Sequence, residues 1–356
     1  MSKEQFKLTE RGLFWLKIDT ANTFGLDKLT HDEQVQWFDD TIAINRDMVN
    51  GLISSAESPF EFKQCLENYE MYLNNEPVNG LMYVDCSNQA LQCYAVLTGD
   101  LKTAKVCNLA GQDDRADGYQ MLADSINSHF DKPFITRAVA KKPMMVTLYG
   151  KQKAWELMID TLAENLPSVD VNSEKFQTKI NDIFKESMNE IAPNAMKAMA
   201  SLQKLNDENI GTYYWTLPDG FKVQYDVKSE THIKAERITK NGQKISIEDI
   251  IAEYKPKKNN AGMAPNVIHS VDGYICRELI RRSTTHITTI HDAYAVHYNF
   301  IDELISNYKD IMIELLHSNL LNDIMTEIAN GRNFKSVTKS NTLNKFHIRN
   351  SRYALS

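Results

Sequence analysis

The sequence predicts an α+β fold that is mostly helical, with small antiparallel β elements. Three observations carry this expectation. Apolar residues recur at helical spacing through residues 1–80, 100–210 and 301–330. Residues 213–247 change character, with Asp219-Gly220 and Asn241-Gly242 set between β-prone runs in the manner of hairpin turns. Short β-prone runs also occur at Gly80–Asp85 and on both sides of His291-Asp292.

The elements follow in order. Thr30 and Glu33 read as an N-cap and its reciprocal partner three residues on, so a helix starts there. Gly80-Leu-Met-Tyr-Val-Asp85 has the form of a buried strand ending in a carboxylate. Leu91, Tyr94, Ala95 and Thr98 then mark one helix face, and Gly99 is suited to end that helix. Around Pro143 two readings stand. The helix runs unbroken from Arg137, or it begins near Lys142 with the proline in its first turn. Lys255–Gly262 reads as a loop, 265–283 as a helix, and His286–Tyr298 as two β runs flanking His291-Asp292.

The net charge of −7 argues against a surface that coats nucleic acid throughout, but it leaves room for a basic cleft. Each basic cluster taken alone, including Lys141-Lys142, Arg281-Arg282 and the Lys/Arg residues of 335–352, reads as solvated surface. No apolar run is long enough for a membrane helix. The start of the chain lacks the apolar core of a secretory signal. Five cysteines without a Cys-x-x-Cys pair fit reduced thiols in a cytosol, in an infected bacterial host if the chain is viral.

Three elements bear chemistry. Asp85 ends an apolar strand, where a hard cation can reach it. Asp292 sits in a tight turn between two β runs, and a strand-end carboxylate beside a hairpin-tip carboxylate is one way to build a two-metal phosphoryl-transfer site. Arg137, Lys141 and Tyr149, spaced by four and by eight, place two cations and an aromatic edge broadly on one side of a helix. Read singly, each has an ordinary alternative: a capping or turn aspartate, a polar hairpin tip, a solvated helix face.

Together and in this order they resemble the single-subunit, phage-type RNA polymerases. Asp85-Cys-Ser-Asn-Gln-Ala-Leu-Gln92 resembles motif A, Arg137 to Tyr149-Gly150 resembles motif B, and His291-Asp292 resembles motif C. Phe14–Ile18, Trp215–Phe221, Ala264–Gly273 and the last residues Ser351–Ser356 are also family-like. The resemblance implies a right-handed polymerase. Its palm would comprise 1–97 and 266–356, the latter with a C-terminal foot. Its fingers would be 98–265, with a specificity-loop-like β region at 213–256. It implies Asp85 and Asp292 as ligands of two Mg²⁺ ions, and Lys141 and Tyr149 as catalytic. Arg137, Lys142, Gly150 and His269 would lie against the ribonucleoside triphosphate.

Repair-type DNA polymerases of similar motif set carry a bulky glutamate five residues after the motif A aspartate. Here that residue is Ala90, which leaves room for a 2′-hydroxyl and favours RNA as product. The chain departs from the phage pattern at Cys86, where glycine is usual, and at Gln89-Ala90-Leu91, a bulkier run than the family's small residues. It has no counterpart of the family's N-terminal domain, thumb or remaining palm segment. The expectation is therefore a catalytic subunit acting on a DNA template, with a second polypeptide supplying those parts. A DNA polymerase or primase of the same fold, and a non-catalytic DNA-binding or scaffold subunit, are the alternatives.

Overall fold

The computed structural model describes residues 5–44, 49–111, 115–239, 241, 244–254 and 261–356. Helices dominate, as the spacing predicts, and the strands form three small antiparallel sheets. β1 (Leu81–Val84) is followed by the hairpins β2 (Thr212–Thr216) with β3 (Lys222–Asp226), and β4 (Lys228–Ile238) with β5 (Lys244–Tyr254). β6 (Thr288–Ile290) and β7 (Ala293–His297) complete the set.

The sheet that matters for the site has the order β1-β7-β6. Its register sets Val84 opposite Tyr294 and Tyr83 opposite Ala295. β1 is half-buried rather than fully buried. Met82 and Val84 enter the core while Tyr83 is 45% exposed, because this strand lies at an edge with one face covered. Behind the sheet, Met82, Val84, Tyr294 and Val296 join a continuous apolar core with the helices Gln89–Thr98, Met263–Arg282 and Ile301–His317. The Gln89–Thr98 helix is buried on every side, so its environment reads as hydrophobic all round. Gly99 ends it in the left-handed conformation at φ 65°.

Local signals hold where the chemistry is local. Thr30 and Glu33 form the reciprocal cap at the start of the His31–Phe38 helix. Gly220 takes φ 81° in the turn between β2 and β3. Trp215 of β2 is buried and donates its indole N–H to Ser270 Oγ at 2.9 Å, tying that hairpin to the Met263–Arg282 helix. Of the two readings around Pro143 the unbroken helix holds: Arg137–Leu148 starts at Arg137, capped by Thr136, and carries Pro143 in its interior. One expectation is corrected. The 301–330 stretch is broken at Ser318-Asn319 into Ile301–His317 and Leu320–Ala329. Lys240, Gly242 and Gln243 of the expected Asn-Gly turn and Lys255–Asn260 of the expected loop lie outside the described residues. Among the described residues, no helix is long and apolar enough to cross a membrane.

Candidate active site

Asp85 and Asp292, remote in sequence, meet because β1 and β7 pair. Asp85 leaves the end of β1, and Asp292 follows His291, whose φ of 54° makes the tight β6–β7 turn. The backbone of Asp85 is held from the other side by Ser356: Asp85 N–H donates to Ser356 O at 3.3 Å, and Ser356 N–H donates to Asp85 O at 2.9 Å. Ligand-type atoms of Asp85, Cys86 and Asp292 all lie within 4.8 Å of one another. Two carboxylates so close repel. Asp85 opens to solvent at the cleft, yet the surrounding protein and then the Asp292 charge push its carboxyl up to about 6. The Cys86 N–H, 2.7 Å from Asp85 Oδ1, and the charge of Lys141 oppose that rise. The oxygen donors and the uncompensated negative charge suit a hard divalent cation.

The carboxylates lie in a cleft of about 530 Å³. Arg137, Lys141, Met145 and Tyr149 of the Arg137–Leu148 helix and its cap line another part of it. Arg137 pairs with Asp117 and lies 5.3 Å over the ring of Tyr119, and Lys141 lies 5.9 Å from the same ring. Among the described residues Lys141 has no carboxylate in ion-pair contact, so its charge faces the cleft. Tyr149 sits just past the helix as its C-cap, so its direction comes from the chain reversal rather than from helical phase. Gly150 makes that reversal at φ 88°, packed so that a Cβ would lie 2.9 Å from Ala261 O. Tyr149 stacks on His269 with ring centroids 4.6 Å apart and planes at 6°. Burial raises the Tyr149 phenol and lowers His269, so both rings are neutral near pH 7.

The structure thus brings together Asp85, Asp292, Arg137, Lys141 and Tyr149, with His269 behind Tyr149. It does not bring in the rest. Ala90 is 2% exposed in the helix core and does not line the cleft. Lys142 is exposed on the solvent side, and Gly150 borders a neighbouring pocket of about 370 Å³. Sequence reasoning missed several residues. Lys28 and Arg115 are further cations on the cleft wall, Lys28 paired with Asp27 and Arg115 donating to the Asp27 carbonyl. Asp272 is a third carboxyl close by, held up at about 6 by burial and by Asp292. None of these stands in a spacing that announces it; Asp272 follows His269 by three residues and so shares its helix face.

The model of the DNA-dependent RNA polymerase family matches residues 6–354. The chain is 23% identical over 350 residues to the DNA-directed RNA polymerase of Pseudomonas phage phiKMV, covering 86% of this chain and 43% of that protein. It is 25% identical over 364 residues to the mitochondrial DNA-directed RNA polymerase of Schizosaccharomyces pombe, covering 88% and 31%. A shorter match of 171 residues, 31% identical, reaches the mitochondrial enzyme of Neurospora crassa, covering 40% and 12%. The chain spans less than half the length of each of these relatives. With a match that runs almost end to end, the chain belongs to the phage-type DNA-dependent RNA polymerase family.

Proposed function

We propose that this chain is the catalytic subunit of a DNA-directed RNA polymerase, extending an RNA 3′-hydroxyl with ribonucleoside triphosphates on a DNA template. The convergence of Asp85 and Asp292 in a cleft lined by Arg137, Lys141 and Tyr149 carries this reading. Asp85 and Asp292 would hold two Mg²⁺ ions, whose charge assists the attacking hydroxyl and the departing pyrophosphate. Lys141 faces the cleft and would bind the triphosphate, where negative charge builds in the transition state. Arg137 would join it after exchanging Asp117 for phosphate. Tyr149, braced by His269, offers a flat neutral ring to base and sugar. Its phenol is a donor for a 2′-hydroxyl.

In this reading the β1-β7-β6 sheet belongs to a palm of residues 1–97 and 266–356. Residues 98–265 are fingers, and 213–256 occupy the place of a template- or transcript-contacting loop. In this reading a second polypeptide would supply an N-terminal domain, thumb and remaining palm. The test is extension of a labelled RNA primer on a DNA template with Mg²⁺. Ribo- and deoxyribonucleotides are compared, with the chain alone and co-expressed with its neighbouring reading frame. Ribonucleotide extension that requires the neighbour is expected. A preference for deoxyribonucleotides would make this a DNA polymerase, and full activity of the chain alone would remove the partner.

A further inference from the structure

Gln89 is 3% exposed, in the first turn of the helix that follows Asp85. Its side-chain amide is engaged by three other segments. Oε1 accepts from Cys86 Sγ at 2.9 Å and from Tyr308 OH at 3.0 Å, while Nε2 donates to Asp272 Oδ1 at 3.0 Å. Cys86 in turn stands between the two carboxylates. Its N–H donates to Asp85 Oδ1 at 2.7 Å, and its Sγ lies 3.9 Å from Asp292 Oδ2. The single Tyr308 O–H is shared between Gln89 Oε1 and Gln92 Oε1, and Gln92 Nε2 donates to the carbonyls of Cys107 and Ala354 at 2.9 Å each. One buried amide therefore ties the Asp85–Cys86 turn to the Met263–Arg282 and Ile301–His317 helices.

A neutral amide satisfies all three contacts, accepting twice through its carbonyl and donating through its NH₂. A glutamate would set a new charge against Asp272. A methionine would fill the space and leave a thiol, a phenol and a carboxyl without these partners.

We propose that Gln89 is a positioning residue for the Asp85–Asp292 site, fixing through Cys86 the spacing at which these carboxylates take up a divalent cation. This rests on the metal-site reading above. Loss of a partner that orients metal ligands from behind costs on the order of 10- to 100-fold in metal affinity.

The test measures Mn²⁺ binding to the full chain by electron paramagnetic resonance of the free ion. Wild type is compared with Gln89→Met, Cys86→Ala, Leu321→Ala and Asp85→Asn. Gln89→Met is expected to weaken Mn²⁺ binding about tenfold, and Cys86→Ala about threefold. Leu321→Ala, a core truncation in the remote Leu320–Ala329 helix, lowers the melting temperature but should hold affinity within about twofold. In primer extension, Gln89→Met should raise the Mg²⁺ concentration for half-maximal rate and leave the nucleotide KM unchanged. Wild-type affinity in Gln89→Met, or in Cys86→Ala should Gln89→Met fail to fold, overturns the proposal. Equal Mn²⁺ binding by wild type and Asp85→Asn would instead overturn the metal-site reading itself.

Discussion

His31 gives the folded chain a pH dependence that its surroundings quantify. The imidazole is 5% exposed, enclosed by the rings of Trp15 at 5.3 Å, Tyr353 at 4.8 Å and Phe14 at 6.4 Å. Burial, then the charges of Arg115 and Arg352, hold it down at about 4 against an ordinary 6.5, with Asp32 opposing. Between those values the unfolded chain binds a proton that the folded chain does not. The contribution to stability is therefore full above 6.5 and lost as pH falls toward 4. Linkage gives a loss of about 2 kcal/mol between pH 7.5 and pH 5. Asp19, raised to about 6 by burial, works in the opposite direction, since its contribution is lost as pH rises. A direct comparison isolates the histidine. His31→Phe keeps an aromatic ring and removes the proton site, including an Nε2 that has no hydrogen-bond partner among the described residues. Denaturant melts followed by circular dichroism at both pH values should show the variant losing about 2 kcal/mol less than wild type. Equal losses would refute the placement of a neutral, buried imidazole among these arginines.

Other expectations follow from the site. Mg²⁺ at about 100 times its Kd should stabilise the chain by about 2.7 kcal/mol, a rise in Tm of about 3–4 °C for a chain of 356 residues, and Asp292→Asn should abolish most of it in differential scanning fluorimetry. Gly150→Ala forces a Cβ onto φ 88° and to 2.9 Å from Ala261 O, so melts should show a loss of about 1–3 kcal/mol. Because Tyr149 precedes that turn, extension by the same variant should discriminate less sharply between ribo- and deoxyribonucleotides.

Much of the site was legible because its parts are local. A strand ending in Asp85, a turn carrying His291-Asp292 and a helix bearing Arg137 and Lys141 each announce themselves within about ten residues. Thr30 with Glu33, and Gly99, announce helix ends by the backbone groups they satisfy. What depends on register across the chain was not legible. Nothing near Val84 says that it pairs with Tyr294, and nothing near Ser356 says that its backbone meets Asp85. Asp272 and Gln89 matter through partners on other helices, so their neighbours in sequence give no hint. Pro143 shows tertiary packing overriding a local rule, since it is buried where an isolated helix would break. Ala90 shows the limit of reading a pocket from one position: its place inside the helix core follows from packing on every face of Gln89–Thr98.

In the proposed mechanism Asp85 and Asp292 together hold the metal ions for nucleotidyl transfer. The decisive experiment is single-nucleotide extension of an RNA primer on a DNA template in Mg²⁺, by wild type, Asp85→Asn and Asp292→Asn, each co-expressed with the neighbouring reading frame. Ribonucleotide addition is expected from wild type, with a rate lower by a factor of about 10³ or more in either variant, since each removes a charge facing the transferred phosphoryl group. Addition by either variant at a rate close to wild type would contradict it.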